Sequence, residues 1–513
     1  MKPRDIRARR GPRVWLAVAA ATLLAPLTAP LRMVVDAKQA SDAADRSCAR
    51  LARIAMPSAA ITGTEIVKAG SAPFYAARAF CRVMMTMTPS ADSDIRAEVW
   101  LPLDGWNGKF QAVGNSDLAG AISYDAMTEA IRRGYATSST DTGHVGNSLA
   151  FVPGHREKYI DFGYRALHEM TQKAKAIITA FYGTAPARSY WNGCSQGGRQ
   201  GITEAGRYPA DYDAIVAGAA AIDYMELHAA RVALNRFVNR SADSSIPPQK
   251  YPAIHRAAIA ACDAIDGVKD GLIQDPTRCR FDPRVLTCAG EDGPGCLTAA
   301  QVETARGMYA PITDPATGRV VAPALLQPGS ELEWARLAGP EPLRNSVESF
   351  KYVVFGDPKW DWRRFSLAAD LPRALEADEG VINYTDPNLR PFFDRGGKLL
   401  MYHGWADPQI TPLNSVRYFN EVLKTAGEPV RGASIQLYMQ PGVSHCWGGD
   451  GPDTFDVVGV LDRWMQTGRA PSQIVAKQSG GASERTRPLC PYPQIAKYKG
   501  EGSVDAAENF LCR

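Results

Sequence analysis

Trp191-Asn192-Gly193-Cys194-Ser195-Gln196-Gly197-Gly198-Arg199 is the stretch whose reading decides the fold. It contains Gly193-x-Ser195-x-Gly197, a pattern that asks for a strand running in, a tight strained turn carrying the serine, and a helix running out. The two glycines are steric requirements, because a Cβ at either would crowd the turn. Cys194 directly precedes the serine, and far along the chain Cys446 directly follows His445. That symmetry suggests a nucleophile and a base whose sequence neighbours are covalently joined.

Working outward, the flanks alternate strand and helix. Residues 48–113 read as antiparallel β structure, with Ile95–Leu101 alternating like a half-exposed strand. Lys109–Val113 is a short buried strand that ends in the small polar loop Gly114–Gly120. Gly134–Thr140 is the next strand, and residues 161–182 carry an apolar stripe at helical spacing, Leu167, Met170, Ala174, Ile177, Ile178 and Phe181. Ser189–Trp191 feeds the turn, a helix follows Ser195 to about Arg207, and Tyr212–Ala217 is another strand. Such alternation means a parallel sheet covered by helices. The rhythm stops near Asp223. Residues 223–390, rich in Pro, Gly and Trp and holding four cysteines, are expected to form an inserted lid domain. Its aromatic-dense stretch Tyr352–Trp362 either stacks on a ring-shaped substrate or builds the lid's own core. The sheet resumes at Gly397–His403, with a helix over 412–425, a last strand at Ser434–Met439 and a final helix over about 453–466. The catalytic part is thus expected in 41–222 and 391–513.

Composition narrows the class. With 45% hydrophobic and 22% charged residues the chain is an ordinary globular protein. Residues 1–40 carry eight Lys/Arg against two Asp, so the net +4 of the whole chain becomes −2 over residues 41–513. That removes any charge argument for a nucleic-acid partner. Arg7, Arg9, Arg10 and Arg13 precede an apolar run, Val14–Leu31, broken by Pro26 and Pro30. This predicts an export signal over 1–40 with cleavage within 30–45, a secreted or periplasmic protein, and no membrane association once the signal is removed. Ten cysteines, an even number with no CxxC, fit disulfides in an oxidising compartment.

The chemistry needs three residue types, and they occur in a telling order. Ser195, Asp407 after the strand at 397–403, and His445 after the last strand follow the order of an α/β-hydrolase fold. His445 would take the serine proton and return it to the leaving alcohol, while Asp407 would fix the imidazole tautomer. His403 is a rival base, but it precedes the acid and lacks the cysteine neighbour; His144, His155, His168, His228 and His255 are read as structural. The backbone N–H of Gln196 is expected as one oxyanion donor, with a second from the 114–117 loop at Ser116. If Ser195 and His445 are in hydrogen-bond reach, Cys194 and Cys446 are close enough for a disulfide.

With these residues in place the chain resembles the tannase/feruloyl esterase family of secreted α/β-hydrolases, which also includes the hydrolase of mono(hydroxyethyl) terephthalate. The resemblance rests on Cys194-Ser195, Asp407 and His445-Cys446, with Gly105-Trp106-Asn107-Gly108, Asp141-Thr142-Gly143-His144, His403–Pro408 and Arg487–Pro493. It implies a serine ester hydrolase acting on small feruloyl, galloyl or related aromatic esters through an acyl-enzyme. The alternatives are terephthalate-type monoesters or other aryl esters on the same scaffold, or a non-catalytic binding protein, against which the intact triad argues. It implies the further disulfides Cys48–Cys81, Cys262–Cys279, Cys288–Cys296 and Cys490–Cys512. It also implies a structural calcium in the lid, held by Asp263, Asp266 and Asp270 and by the carbonyls of Val268 and Leu272, a hard-oxygen set that suits this ion. One departure stands out: Ser116-Asp117 follows Gly114-Asn115 where family members often have Gly-Gly.

Overall fold

The alternation folds into a mixed sheet of nine strands. The computed structural model describes residues 45–480 and 485–513, so the signal expected over 1–40 lies outside the described residues. The strands are β1 (Ala59–Val67), β2 (Phe80–Met87), β3 (Ile95–Pro102), β4 (Lys109–Val113), β5 (Ala136–Thr140), β6 (Arg188–Cys194), β7 (Ala214–Gly218), β8 (Lys398–Gly404) and β9 (Ile435–Gln440). They lie in the order β1-β2-β3-β5-β4-β6-β7-β8-β9. Pairing is antiparallel from β1 to β5 and parallel from β5 to β9. The principal helices are α1 (Tyr124–Arg132), α2 (Ala166–Tyr182), α3 (Gln196–Arg207), α4 (Tyr224–Val238), α5 (Tyr251–Cys262), α6 (Ala299–Met308), α7 (Leu367–Asp378), α8 (Pro412–Ala426) and α9 (Val457–Thr467).

Both faces of the sheet are covered. Adjacent side chains of a strand point to opposite faces, and in β6 Trp191 packs into a core with α2 and α8 while Tyr190 packs into a second core with α9. β7 is buried along its whole length, as a parallel strand covered on two sides should be. The stripe read over 161–182 is α-helical only from Ala166. Residues Asp161–Arg165 form a wider π turn, in which Gly163 packs against Val381 and its carbonyl accepts from Arg199 Nη2 at 3.1 Å.

β3 corrects the expectation of a half-exposed strand: of its eight residues only Arg96 is exposed. Val99 and Leu101 face the main core, while Trp100 on the opposite face packs with Phe80, Val113, Met127 and Ile131. Glu98 lies on that second face, only 4% exposed. Its carboxylate accepts from Arg82 Nε (2.8 Å) and Nη2 (2.5 Å), Trp100 Nε1 (2.8 Å) and the Tyr124 hydroxyl (2.9 Å). A polar residue at the alternate position therefore marks a satisfied buried charge, which alternation alone reads as solvent.

Between β7 and β8 the chain runs through the long insertion expected above to be a lid. Helices α4 to α7 surround a core that includes Trp334, Phe350 and Phe365, and this core continues onto Leu118, Leu149 and Phe162 of the sheet-bearing part. Residues 47–513 accordingly gather as one compact unit. At the C-terminus, residues Ala496–Tyr498 pair antiparallel with Phe510–Cys512.

Arg82→Met should leave Glu98 buried without its cation. The expected loss is about 3 kcal/mol of unfolding free energy, read from urea denaturation. A midpoint unchanged from wild type would show that the pair contributes nothing.

Candidate active site

The turn at the end of β6 is as tight as its glycines suggest. Ser195 has φ 62° and ψ −122°, between Cys194 and the first residue of α3. A Cβ on Gly193 would stand 2.4 Å from the Gly197 carbonyl, and one on Gly114 would stand 2.6 Å from Gly197 Cα. Three backbone segments therefore touch directly, and only glycine permits it. Ser195 N–H donates to the Gly218 carbonyl at 2.9 Å, which pins the strained residue to the end of β7.

His445, in the loop after β9, meets the serine. Its Nε2 lies 2.9 Å from Ser195 Oγ and its Nδ1 lies 2.7 Å from Asp407 Oδ2. With Nδ1–H donating to the carboxylate, Nε2 is free to accept from the serine hydroxyl. Asp407 is fully buried. Its Oδ1 accepts from the N–H groups of Gln409 (2.7 Å) and Ile410 (2.9 Å). Oδ2 is also within 3.0 Å of His403 Nε2. Burial pushes the carboxyl up, but the charge and hydrogen bonds of His445 and His403 outweigh it and hold the carboxyl well below the usual carboxylate range.

His403, considered above as a rival base, instead serves the acid. It lies in β8 with no exposure, and its Nδ1 is 2.8 Å from the Ser415 hydroxyl of α8. The sequence held no signal for this role beyond the spacing His403–Asp407. Cys194 and Cys446 are bonded, with Cα atoms 6.1 Å apart. The remaining pairs are Cys48–Cys81, Cys262–Cys279, Cys288–Cys296 and Cys490–Cys512, and no described cysteine is free.

The serine opens into a cavity of about 840 Å³ between the sheet's edge loops and the lid. Gln196 heads α3, where the first N–H groups of a helix have no intrahelical acceptor. Ser116 is exposed on the cavity wall beside it. The loop carrying Ser116 is fixed at Asn115, whose side chain donates to Ala121 and Thr140 carbonyls at 2.9 and 2.8 Å. Asp117 takes φ 50°, a left-handed conformation that glycine adopts freely and Asp tolerates. Its carboxylate is held by Asn147 (2.8 Å) and by the lid's Asn345 (2.7 Å). The departure from Gly-Gly is thus accommodated by hydrogen bonds that a glycine could not make.

The aromatic stretch of the lid does not reach this cavity. Phe350, Phe355, Trp360 and Phe365 pack on one another, with centroid separations of 4.9–5.8 Å, so the second reading of Tyr352–Trp362 holds. The cavity is lined from the lid by Tyr224, His228 and Arg231 of α4, and at its mouth by Trp447, which is 72% exposed. His228, read above as structural, is a wall residue kept neutral by burial and by the adjacent Arg231 charge. The sequence did not assign any of these four to the cavity: nothing local distinguishes a cavity-facing side chain of α4 from a core one, and Trp447 lies in the loop after His445.

The residues named for calcium lie together after α5. Asp263 accepts from the N–H groups of Asp270 and Gly271, Asp266 Oδ1 from Val268 N–H, and Asp270 pairs with Arg487. Asp266 Oδ2 is buried without a hydrogen-bond partner, and burial with the neighbouring Asp270 and Asp263 lifts this carboxyl to about 7. An all-oxygen set with one orphaned carboxylate oxygen suits a hard cation. The three carboxylates are not drawn within 4.8 Å of one another. Among the described residues only Cys288, Asp292 and Cys296 are so gathered, and there both sulfurs are spent on a disulfide.

No described helix is long and apolar enough to cross a membrane. The family model for tannase and feruloyl esterase matches residues 81–513. An uncharacterized esterase of Xanthomonas campestris pv. campestris is 34% identical, covering 91% of each chain. A probable feruloyl esterase B-1 of Aspergillus oryzae is also 34% identical, over 86% of this chain and 85% of that one. The crystal structure of feruloyl esterase B from Aspergillus oryzae superposes with a TM-score of 0.87 at 31% identity, covering 92% of this chain and all of that one. A tannin acyl hydrolase from Aspergillus niger shares the fold, with a TM-score of 0.79 at 22% identity over 91% of this chain and 94% of the other. The chain belongs to the tannase and feruloyl esterase family, and is a carboxylic ester hydrolase.

Proposed function

We propose that the protein is an exported serine esterase that cleaves feruloyl, galloyl or related aromatic-acid esters through an acyl-enzyme. The observation that carries this reading is the unbroken relay Ser195 Oγ–His445 Nε2, His445 Nδ1–Asp407 in one cavity. As Oγ attacks the ester carbonyl carbon, its proton passes to His445 Nε2, and the imidazolium is stabilised by the buried Asp407 carboxylate. The carbonyl oxygen gains the negative charge and is met by Gln196 N–H and a donor from the Ser116 loop. Collapse breaks the ester C–O bond, and the alcohol leaves with the proton from His445. Water, deprotonated by the same histidine, then attacks the acyl-serine and releases the acid. Five disulfides in the described residues support an oxidising, extracellular or periplasmic location.

Ser195→Ala should lower kcat on methyl ferulate by about 10⁵–10⁶-fold and abolish labelling by a serine-directed fluorophosphonate. Retained turnover would remove Ser195 from the chemistry. The same assay on methyl gallate and a terephthalate monoester ranks the acyl groups. Cys194→Ser with Cys446→Ser frees the two catalytic loops from each other, and kcat should fall while the other four bridges stay closed by thiol counting.

Calcium in the lid is part of the same proposal, with Asp263, Asp266 and Asp270 and the carbonyls of Val268 and Leu272 as ligands. The ion would supply local rigidity, and no step of ester cleavage passes through it. Saturating calcium at about 100 times its Kd should add roughly 2.7 kcal/mol to stability, seen as a higher Tm that EDTA reverses. Asp266→Asn should lose this response. A Tm indifferent to both reagents, with no calcium by elemental analysis, counts against the site.

A further inference from the structure

The turn that carries the acid is held from the lid. Arg231 of α4 directs Nε (2.8 Å) and Nη2 (2.5 Å) onto a single acceptor, the carbonyl of Gln409. Two residues on, the Thr411 hydroxyl donates to the lid's Ala324 carbonyl at 2.7 Å. Arg231 is 3% exposed, and no described carboxylate lies within 4.0 Å of its guanidinium. Its third contact is long, 3.5 Å from Nη1 to His228 Nδ1, and that histidine nitrogen is better satisfied by Ser346 Oγ at 2.8 Å. Burial lowers the guanidinium to about 10, so the group is still cationic at neutral pH. Desolvating a charge is costly, and a fork closed on one main-chain oxygen, with Asp407 and Asp117 near enough to favour its charge but neither in ion-pair contact, is an unusual place to leave one.

The peptide group explains why this oxygen matters. The Gln409 carbonyl and the Ile410 N–H belong to one planar trans unit, so they point in opposite directions and turn together. Fixing the oxygen on Arg231 therefore fixes the N–H on the other side, and that N–H donates to Asp407 Oδ1 at 2.9 Å. The preceding N–H, of Gln409, donates to the same oxygen at 2.7 Å. Asp407 presents its other oxygen to His445, so the tilt of this peptide sets how the carboxylate meets the imidazole.

We propose that Arg231 is a positioning residue for the triad acid. Through the 409–410 peptide it aims the Ile410 N–H at Asp407 and so orients the carboxylate that holds His445. The inserted lid is then part of the machinery that aligns the base, as well as a wall of the cavity. The inference rests on the triad reading above, and the two fail separately. If Ser195→Ala stays active, the triad reading falls. If Ser195→Ala is inactive while Arg231 variants keep wild-type kcat, only the role of Arg231 falls.

The test is steady-state kinetics on methyl ferulate with Arg231→Met, Arg231→Lys and Arg231→Ala, each normalised to fluorophosphonate-titrated sites so that misfolded protein is not counted. A misaimed hydrogen bond to a charged acceptor should lower kcat by about 10–100-fold in Arg231→Met, with KM within about threefold of wild type. Arg231→Lys keeps a cation but not the fork and should recover part of the loss. Because Arg231 borders the open cavity, methylguanidinium added to Arg231→Ala should restore kcat in a saturable way, which methylammonium at equal concentration should not match. A raised KM with unchanged kcat would overturn the proposal by making Arg231 a substrate contact. Wild-type kcat per titrated site in all three variants, or losses in Arg231→Ala that methylguanidinium leaves untouched, would overturn it as well.

Discussion

Contact between bare backbones at the nucleophile turn is the constraint on which this structure depends. Gly193, Gly197 and Gly114 approach so closely that a Cβ on Gly193 or Gly114 would overlap its neighbour. That contact lets β6 reverse into α3 within one residue and leaves Ser195 at φ 62° with its hydroxyl in the cavity. It also brings the 114–117 loop against the start of α3, so that the candidate oxyanion donors and the candidate nucleophile are placed by the same packing. The strain at Ser195 persists because its surroundings over-determine it: the Gly218 carbonyl on its N–H, the Arg199 N–H on its own carbonyl, and the disulfide at Cys194.

The second theme is a charge taken out of water and satisfied on every side. Asp407 has no exposure, yet its two oxygens receive two backbone N–H groups and two imidazoles. Low dielectric strengthens each of these bonds, and an incomplete shell would be expensive. His403 and the 409–410 peptide come from β8 and the turn that follows it, that turn is braced by Arg231 from the insertion, and His445 comes from the loop after β9. The acid is thus a junction where sheet, lid and base loop meet. Glu98 shows the same logic at the other end of the sheet, where four donors from three elements permit a buried carboxylate.

Much of this was legible in the sequence, for local reasons. Gly193-x-Ser195-x-Gly197 encodes a turn whose tightest contact, Gly193 against Gly197, lies within five residues. Ser195, Asp407 and His445 follow strand ends, and strand ends at one edge of a parallel sheet converge by topology alone. The stripe from Leu167 to Ile178 fixed a helix face because helical period is a local property. What failed was reading polarity as exposure: Glu98 sits where alternation predicts solvent. For the aromatic residues around Trp360 the sequence left two readings open, and packing decided for the core.

By itself, then, the sequence determined the hydrolase architecture, which three side chains meet at the cavity and the pairing of Cys194 with Cys446, since each follows from motif sterics, strand-end order or the neighbourhood of residues already placed. The tertiary structure alone decided that His403 supports the acid, that α4 supplies the inner wall through Tyr224, His228 and Arg231, and that Trp447 stands at the mouth. The side chains of α4 face the cavity only after segments more than a hundred residues apart have packed, and His403 turns to Asp407 only once β8 and α8 fix its ring. No local period carries the facing of α4, because the energy that selects it comes from packing between the insertion and the sheet-bearing part.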